Sequence, residues 1–295
     1  MKQIFSLDKS RVLHSPLKIA IILTTLYYST GAFAQGNLLV TPKRVLFDGT
    51  KKSEELNLAN VGKDSATFAI SFIQIRMNED GSFQKITEPD SSQNFADKYL
   101  RYFPRTVTLA PNEAQTVKVQ LIRAGELKPG EYRSHLYFRA VPVEGALGEN
   151  VVKKDTSLSV QLVPIFGISV PTIIRVGDNN SQVSLSNVVL TSQDTSQSIK
   201  WSFNRTGNMS VYGDVAVNHI STQGKITTVG IVKGVAVYTP TPVRNFNLPL
   251  IKTPGVDFRS GKLHIIYSDQ TSKSKLAETE LEINNTSSTF SVSKN

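Results

Sequence analysis

The chain of 295 residues contains no cysteine, a single tryptophan and three methionines. Without cysteine there is no disulfide framework and no thiolate chemistry, so stability has to come from packing. A chain of this length buries a large enough share of its surface to manage that. Past the N-terminal segment no run shows helix-length apolar periodicity. None there is long and apolar enough to reach the ~20 residues of a helical membrane span. No basic cluster is interleaved with aromatic residues either, which argues against nucleic acid as a partner.

Signs of catalysis are equally sparse. The four histidines, His14, His135, His219 and His264, stand apart from one another. No His/Cys/Asp/Glu group has metal-ligand spacing. Gly224-Lys225-Ile226-Thr227 lacks the leading glycine of a phosphate-binding loop and does not lie between a strand and a helix. No nucleophile elbow stands in a suitable setting. The expectation is a protein that is not an enzyme and carries no cofactor or metal.

The N-terminus has the features of a secretory leader. Lys2, Lys9, Arg11 and Lys18 form a basic region, Ile19 to Tyr28 an apolar one, and Ala32-Phe33-Ala34 a small-x-small cleavage site. Residues 1–34 are therefore expected to be a signal peptide. Without its four Lys/Arg and one acidic residue, 29 basic and 23 acidic groups remain, a net charge of +6. That charge is spread along the chain, as suits solubility.

The remainder alternates with period two. Leu56 and Leu58 share one face, as do Phe68, Ile70 and Phe72, and Val117, Val119 and Leu121. From Tyr132 to Val141, Tyr132, Leu136 and Phe138 share one face, while Arg133, His135, Tyr137 and Arg139 share the other. Leu158, Val160 and Leu162 alternate with Ser157, Ser159 and Gln161. Later come Ile199/Trp201/Phe203, Phe246/Leu248/Leu250, Leu263/Ile265/Tyr267 and Leu281/Ile283. Turn signals such as Asp48-Gly49, Ala110-Pro111-Asn112 and Lys128-Pro129-Gly130 separate the runs. Short alternating strands with such turns predict β-sandwiches. The fold class is all-β, with two immunoglobulin-like sandwiches in tandem: residues 35–170, with room for seven strands, then 171–295 after Pro171. Pro129-Gly130-Glu131-Tyr132 resembles the tyrosine corner that leads into a late strand of such a sandwich.

One early residue breaks the pattern. Arg44 opens the apolar strand Val45-Leu46-Phe47, and a charge planted there needs a partner. Together, the run Thr41 to Gly49 resembles the first strand of the periplasmic pilus chaperones of the PapD type. Tyr102 to Pro111, followed by Gln115-Thr116-Val117-Lys118-Val119, is similar to that family's strand-turn-strand. Leu127 to Pro142 is similar to its run into strand F. These segments cover most of the first sandwich.

The resemblance implies an ATP-independent periplasmic chaperone that binds pilus or fimbrial subunits and hands them to an outer-membrane usher. It implies that Arg44 grips the subunit's terminal carboxylate. It also implies that Leu158, Val160 and Leu162 form a donor strand completing the subunit's sandwich. An apolar donor edge further suggests self-association of the free protein. The family's second cation, a lysine, has no counterpart at its expected place near Phe166-Gly167. A secreted two-sandwich binding module that does not assist folding is the alternative reading.

Overall fold

In the computed structural model, residues 38–142, 165–193 and 196–283 are described. The first part of the chain forms β1 (Leu38–Thr41), β2 (Val45–Phe47), β3 (Ser53–Asn60), β4 (Ala66–Met77), β5 (Phe83–Ile86), β6 (Leu100–Phe103), β7 (Thr106–Leu109), β8 (Ala114–Leu121), β9 (Gly130–Val141) and β10 (Gly167–Val176). The second part forms β11 (Gln182–Gln193), β12 (Ser196–Thr206), β13 (Val211–Ile220), β14 (Ile226–Val237), β15 (Val243–Pro249), β16 (Lys262–Asp269) and β17 (Lys275–Glu282). The leader predicted over residues 1–34 lies outside the described residues.

Four sheets result, two to a sandwich. One sheet of the first sandwich runs β1-β3-β8-β6, and the other runs β2-β10-β9-β4-β5 with β7 also on β4. All pairings are antiparallel except that of β2 with β10. The alternating residues meet between the layers. Leu56, Leu58, Val117 and Val119 from one sheet and Phe47, Leu136, Phe138 and Ile174 from the other lie in a single buried cluster. In the second sandwich, sheets β11-β12-β15 and β14-β13-β16-β17 enclose Ile199, Trp201, Phe203, Val217, Leu263, Ile265 and Tyr267. Both sandwiches belong to one compact unit.

The predicted tyrosine corner is present. The Tyr132 hydroxyl accepts from the Lys128 amide (3.0 Å) and donates to the Lys128 carbonyl (3.2 Å), closing the turn before β9. The structure does not follow a boundary at Pro171. That proline lies inside β10, which pairs with β9 from Gly167 to Val176 and so belongs to the first sandwich. The Ala140 amide donates to the Phe166 carbonyl, so 166, 168 and 170 turn their backbone groups toward β9 and 167, 169 and 171 turn theirs away. Proline at 171 therefore removes no ladder bond, and the strand continues through it.

Candidate functional site

The alternation of β9 puts Arg133 and His135 on the face opposite Tyr132, Leu136 and Phe138 and does not say what covers that face. Glu131, Arg133 and His135 are buried. The register sets Arg133 beside Ile173 and His135 beside Pro171, and this face of the sheet is covered by the second sandwich. Met77 and Ile173 of the first sandwich cluster with Ala236 and Tyr238 of the second. Sheet alternation alone does not show which outer face another sandwich will cover, which is why these residues were missed. The available signal was the spacing of Glu131, Arg133 and His135, three ionisable side chains on one strand face.

Glu131 joins the two sandwiches. Its carboxylate accepts from Arg175 Nε (3.1 Å), from the Ser210 amide (2.9 Å) and from the Ser210 hydroxyl. Burial alone pushes its pKa up. Arg175, the Ser210 bonds and Arg133 outweigh that and hold the carboxyl below its ordinary value. Arg133, 2 % exposed at its side chain, donates to the Thr239 carbonyl (3.0 Å) and stacks over the Tyr238 ring at 4.3 Å. Its Nε and Nη2 are buried without partners among the described residues. His135 packs with the rings of Phe83 and Tyr238, the three centroids 6.1–6.3 Å apart. Burial, assisted by the Arg133 charge, lowers its pKa to about 3, so it is neutral.

Arg44 precedes β2 at the rim of this junction. Its guanidinium stacks over Tyr212 of β13, 4.4 Å from the ring centre. It makes no hydrogen bond or ion pair among the described residues, and its Nε is buried without a partner. Burial shifts its pKa below the ordinary arginine value. Arg44 lines a cavity of about 280 Å³ together with Leu46, Arg175, Ser210, Tyr212 and Asp269. Arg175 is already engaged by Glu131 and by the Ser210 carbonyl. The cavity thus presents one unpaired cation backed by an aromatic ring, an arrangement that can receive an anion.

The second feature is the open edge of β10. Its pairing with β2 covers only Thr172, Ile173 and Ile174. Ahead of that, the outward backbone groups of Gly167 and Ser169 meet no described strand. Phe166 and Ile168 are 60 % and 37 % exposed, whereas Val170, next on the same face, is 2 % exposed. Apolar side chains at alternate positions beside unpaired amides and carbonyls make an edge suited to strand addition.

Of the predicted site residues, Arg44 stands at this junction. Leu158, Val160 and Leu162 lie outside the described residues. The face of β10 toward the junction carries Pro171, Ile173 and Arg175, with no lysine. Among the described residues no group of three His, Cys, Asp or Glu side chains stands together as a metal site. Among the described residues no helix is long and apolar enough to cross a membrane.

No protein-family model matches the chain. No curated protein matches it either. Solved structures do. The chain is similar to the CupB2 chaperone of Pseudomonas aeruginosa, at 11% identity over 83% of this chain and 100% of that one, with a TM-score of 0.42. It is similar to the class 5 fimbriae chaperone CfaA, at 13% identity over 83% and 98%, with a TM-score of 0.40. It is also similar to a chain of the complex between Salmonella enterica SafA pilin and the SafB chaperone, at 13% identity over 85% and 98%, with a TM-score of 0.40.

Proposed function

We propose that this protein is an ATP-independent periplasmic chaperone of pilus or fimbrial subunits, acting by donor-strand complementation and delivering its cargo to an outer-membrane usher. The observation that carries the reading is Arg44: a guanidinium stacked on Tyr212, without a hydrogen-bond or ion-pair partner among the described residues, facing a cavity. A half-buried charge left unpaired is costly, so the partner comes in trans. A subunit's terminal carboxylate supplies it and fixes the register of the added strand.

Strand addition follows from the edge of β10. A subunit lacking a strand exposes core and unpaired backbone, and Gly167, Ser169, Phe166 and Ile168 present both complements. Leu158, Val160 and Leu162 have the same parity as Phe166 and Ile168, so the donor run would extend through them. Subunit folding on the donated strand supplies the free energy, so neither nucleotide nor catalytic group is required.

The alternative, a two-sandwich binding module, is favoured by one observation: β10 places Pro171, not a lysine, between Arg44 and His135 on the junction face. Purifying tagged mature protein from the periplasm, wild type beside Arg44→Glu, separates the readings. Capture of a small β-rich subunit by wild type and its loss in the variant is the expected result. Equal capture by both would remove Arg44 from binding, and capture only of already folded partners would favour the binding module.

A further inference from the structure

The cavity beside Arg44 has two electrical poles. Asp269, at the end of β16, lines the same cavity and is close enough to Arg44 for the two charges to interact. They form no ion pair with each other among the described residues. The Asp269 carboxylate is also used unevenly. Oδ1 accepts all three donors of its turn: the Thr271 amide (2.9 Å), the Ser272 amide (2.8 Å) and the Ser272 hydroxyl (3.0 Å). Oδ2 accepts from none of the described residues. Arg175, the other cation on the cavity wall, is neutralised by Glu131.

A ligand that places an anion on Arg44 therefore brings its neighbouring groups into a cavity that also carries the Asp269 carboxylate, whose Oδ2 is unused among the described residues. A second negative charge there is repelled, whereas a cation or a hydrogen-bond donor is held. We infer that the cavity selects a chain terminus whose carboxylate is accompanied, within the last two residues, by a lysine or arginine. This rests on the reading of Arg44 as a carboxylate anchor and adds what stands next to that carboxylate.

The test uses full-length mature protein and synthetic peptides of alternating apolar sequence with free C-termini, identical except for a final Lys, Leu or Glu. An amidated Lys peptide serves as control. Affinities are measured by fluorescence anisotropy for wild type, Asp269→Asn and Arg44→Glu. Asparagine keeps the Oδ1 acceptor of the turn and removes the charge. We expect wild type to bind the Lys peptide roughly tenfold more tightly than the Glu peptide, a step of about 1.4 kcal/mol. Asp269→Asn should level the series, and Arg44→Glu and the amide should abolish binding.

Arg44-dependent binding without a preference, or a preference that survives Asp269→Asn, would overturn this inference and leave the anchor standing. Binding indifferent to Arg44 and to amidation, or none at all, would overturn both. Should the variant not fold, the wild-type peptide series still decides the preference.

Discussion

The two halves of β10 differ although they form one strand. From Thr172 to Val176 it is closed: β2 pairs along part of its outer edge, Ile173 is fully buried against the second sandwich, and Arg175 is held by Glu131. From Gly167 to Pro171 it is paired on one side only among the described residues, and with Phe166 it exposes apolar side chains. The backbone conformation is the same. What differs is the neighbour on the outer edge and on the junction face. The closed half fixes the two sandwiches together, the open half is the edge we propose for a partner, and Arg44 stands where they meet.

Substitutions in the closed half should damage stability. The largest effect is expected for Glu131→Ala, which strips Arg175 and Arg133 of their buried counter-charge. A loss of about 3–5 kcal/mol, read from urea denaturation, is expected. Next is Ile173→Ala, which leaves a cavity against Met77, Ala236 and Tyr238 and should cost about 2–4 kcal/mol in the same assay. Neither effect would appear if the junction were a loose contact.

Acid probes the same junction. His135 is neutral when folded because its pKa falls to about 3, against about 6.5 unfolded. A depressed folded pKa means that its contribution is present above about pH 6.5 and is lost as pH falls toward 3. Glu131, also held below its ordinary value, adds a loss in the same direction at lower pH. Denaturation midpoints taken from pH 7 to pH 4 should decline in wild type and decline less in His135→Leu. Equal slopes would mean that His135 is not shielded from solvent.

The smallest stability effect belongs to the open half. Phe166→Ser should leave the denaturation midpoint within about 0.5 kcal/mol of wild type, because the side chain is largely exposed. Subunit capture should nevertheless drop. Unchanged capture would place the donor surface elsewhere.

Much of the fold was legible because alternation and turn residues act locally. Leu56, Leu58, Val117 and Val119 are buried where the pattern places them, and the Tyr132 corner closes as its sequence implies. Two features were not legible. Pro171 suggested a break, yet its nitrogen faces an open edge where no donor is needed. Alternation put Arg133 and His135 on one strand face without saying what covers it, and the second sandwich does, a contact between segments about a hundred residues apart. Arg44 was legible as an anomaly, a charge at the head of an apolar strand. That Tyr212 stacks on it and Asp269 lines its cavity depends on tertiary placement.

The most direct test of the division within β10 is amide hydrogen exchange in the free protein and in its complex with a captured subunit. We predict that the Gly167 and Ser169 amides exchange rapidly in the free protein and become protected in the complex, while the Ile173 amide is slow in both. Unchanged exchange at Gly167 and Ser169 on binding would contradict strand donation by this edge.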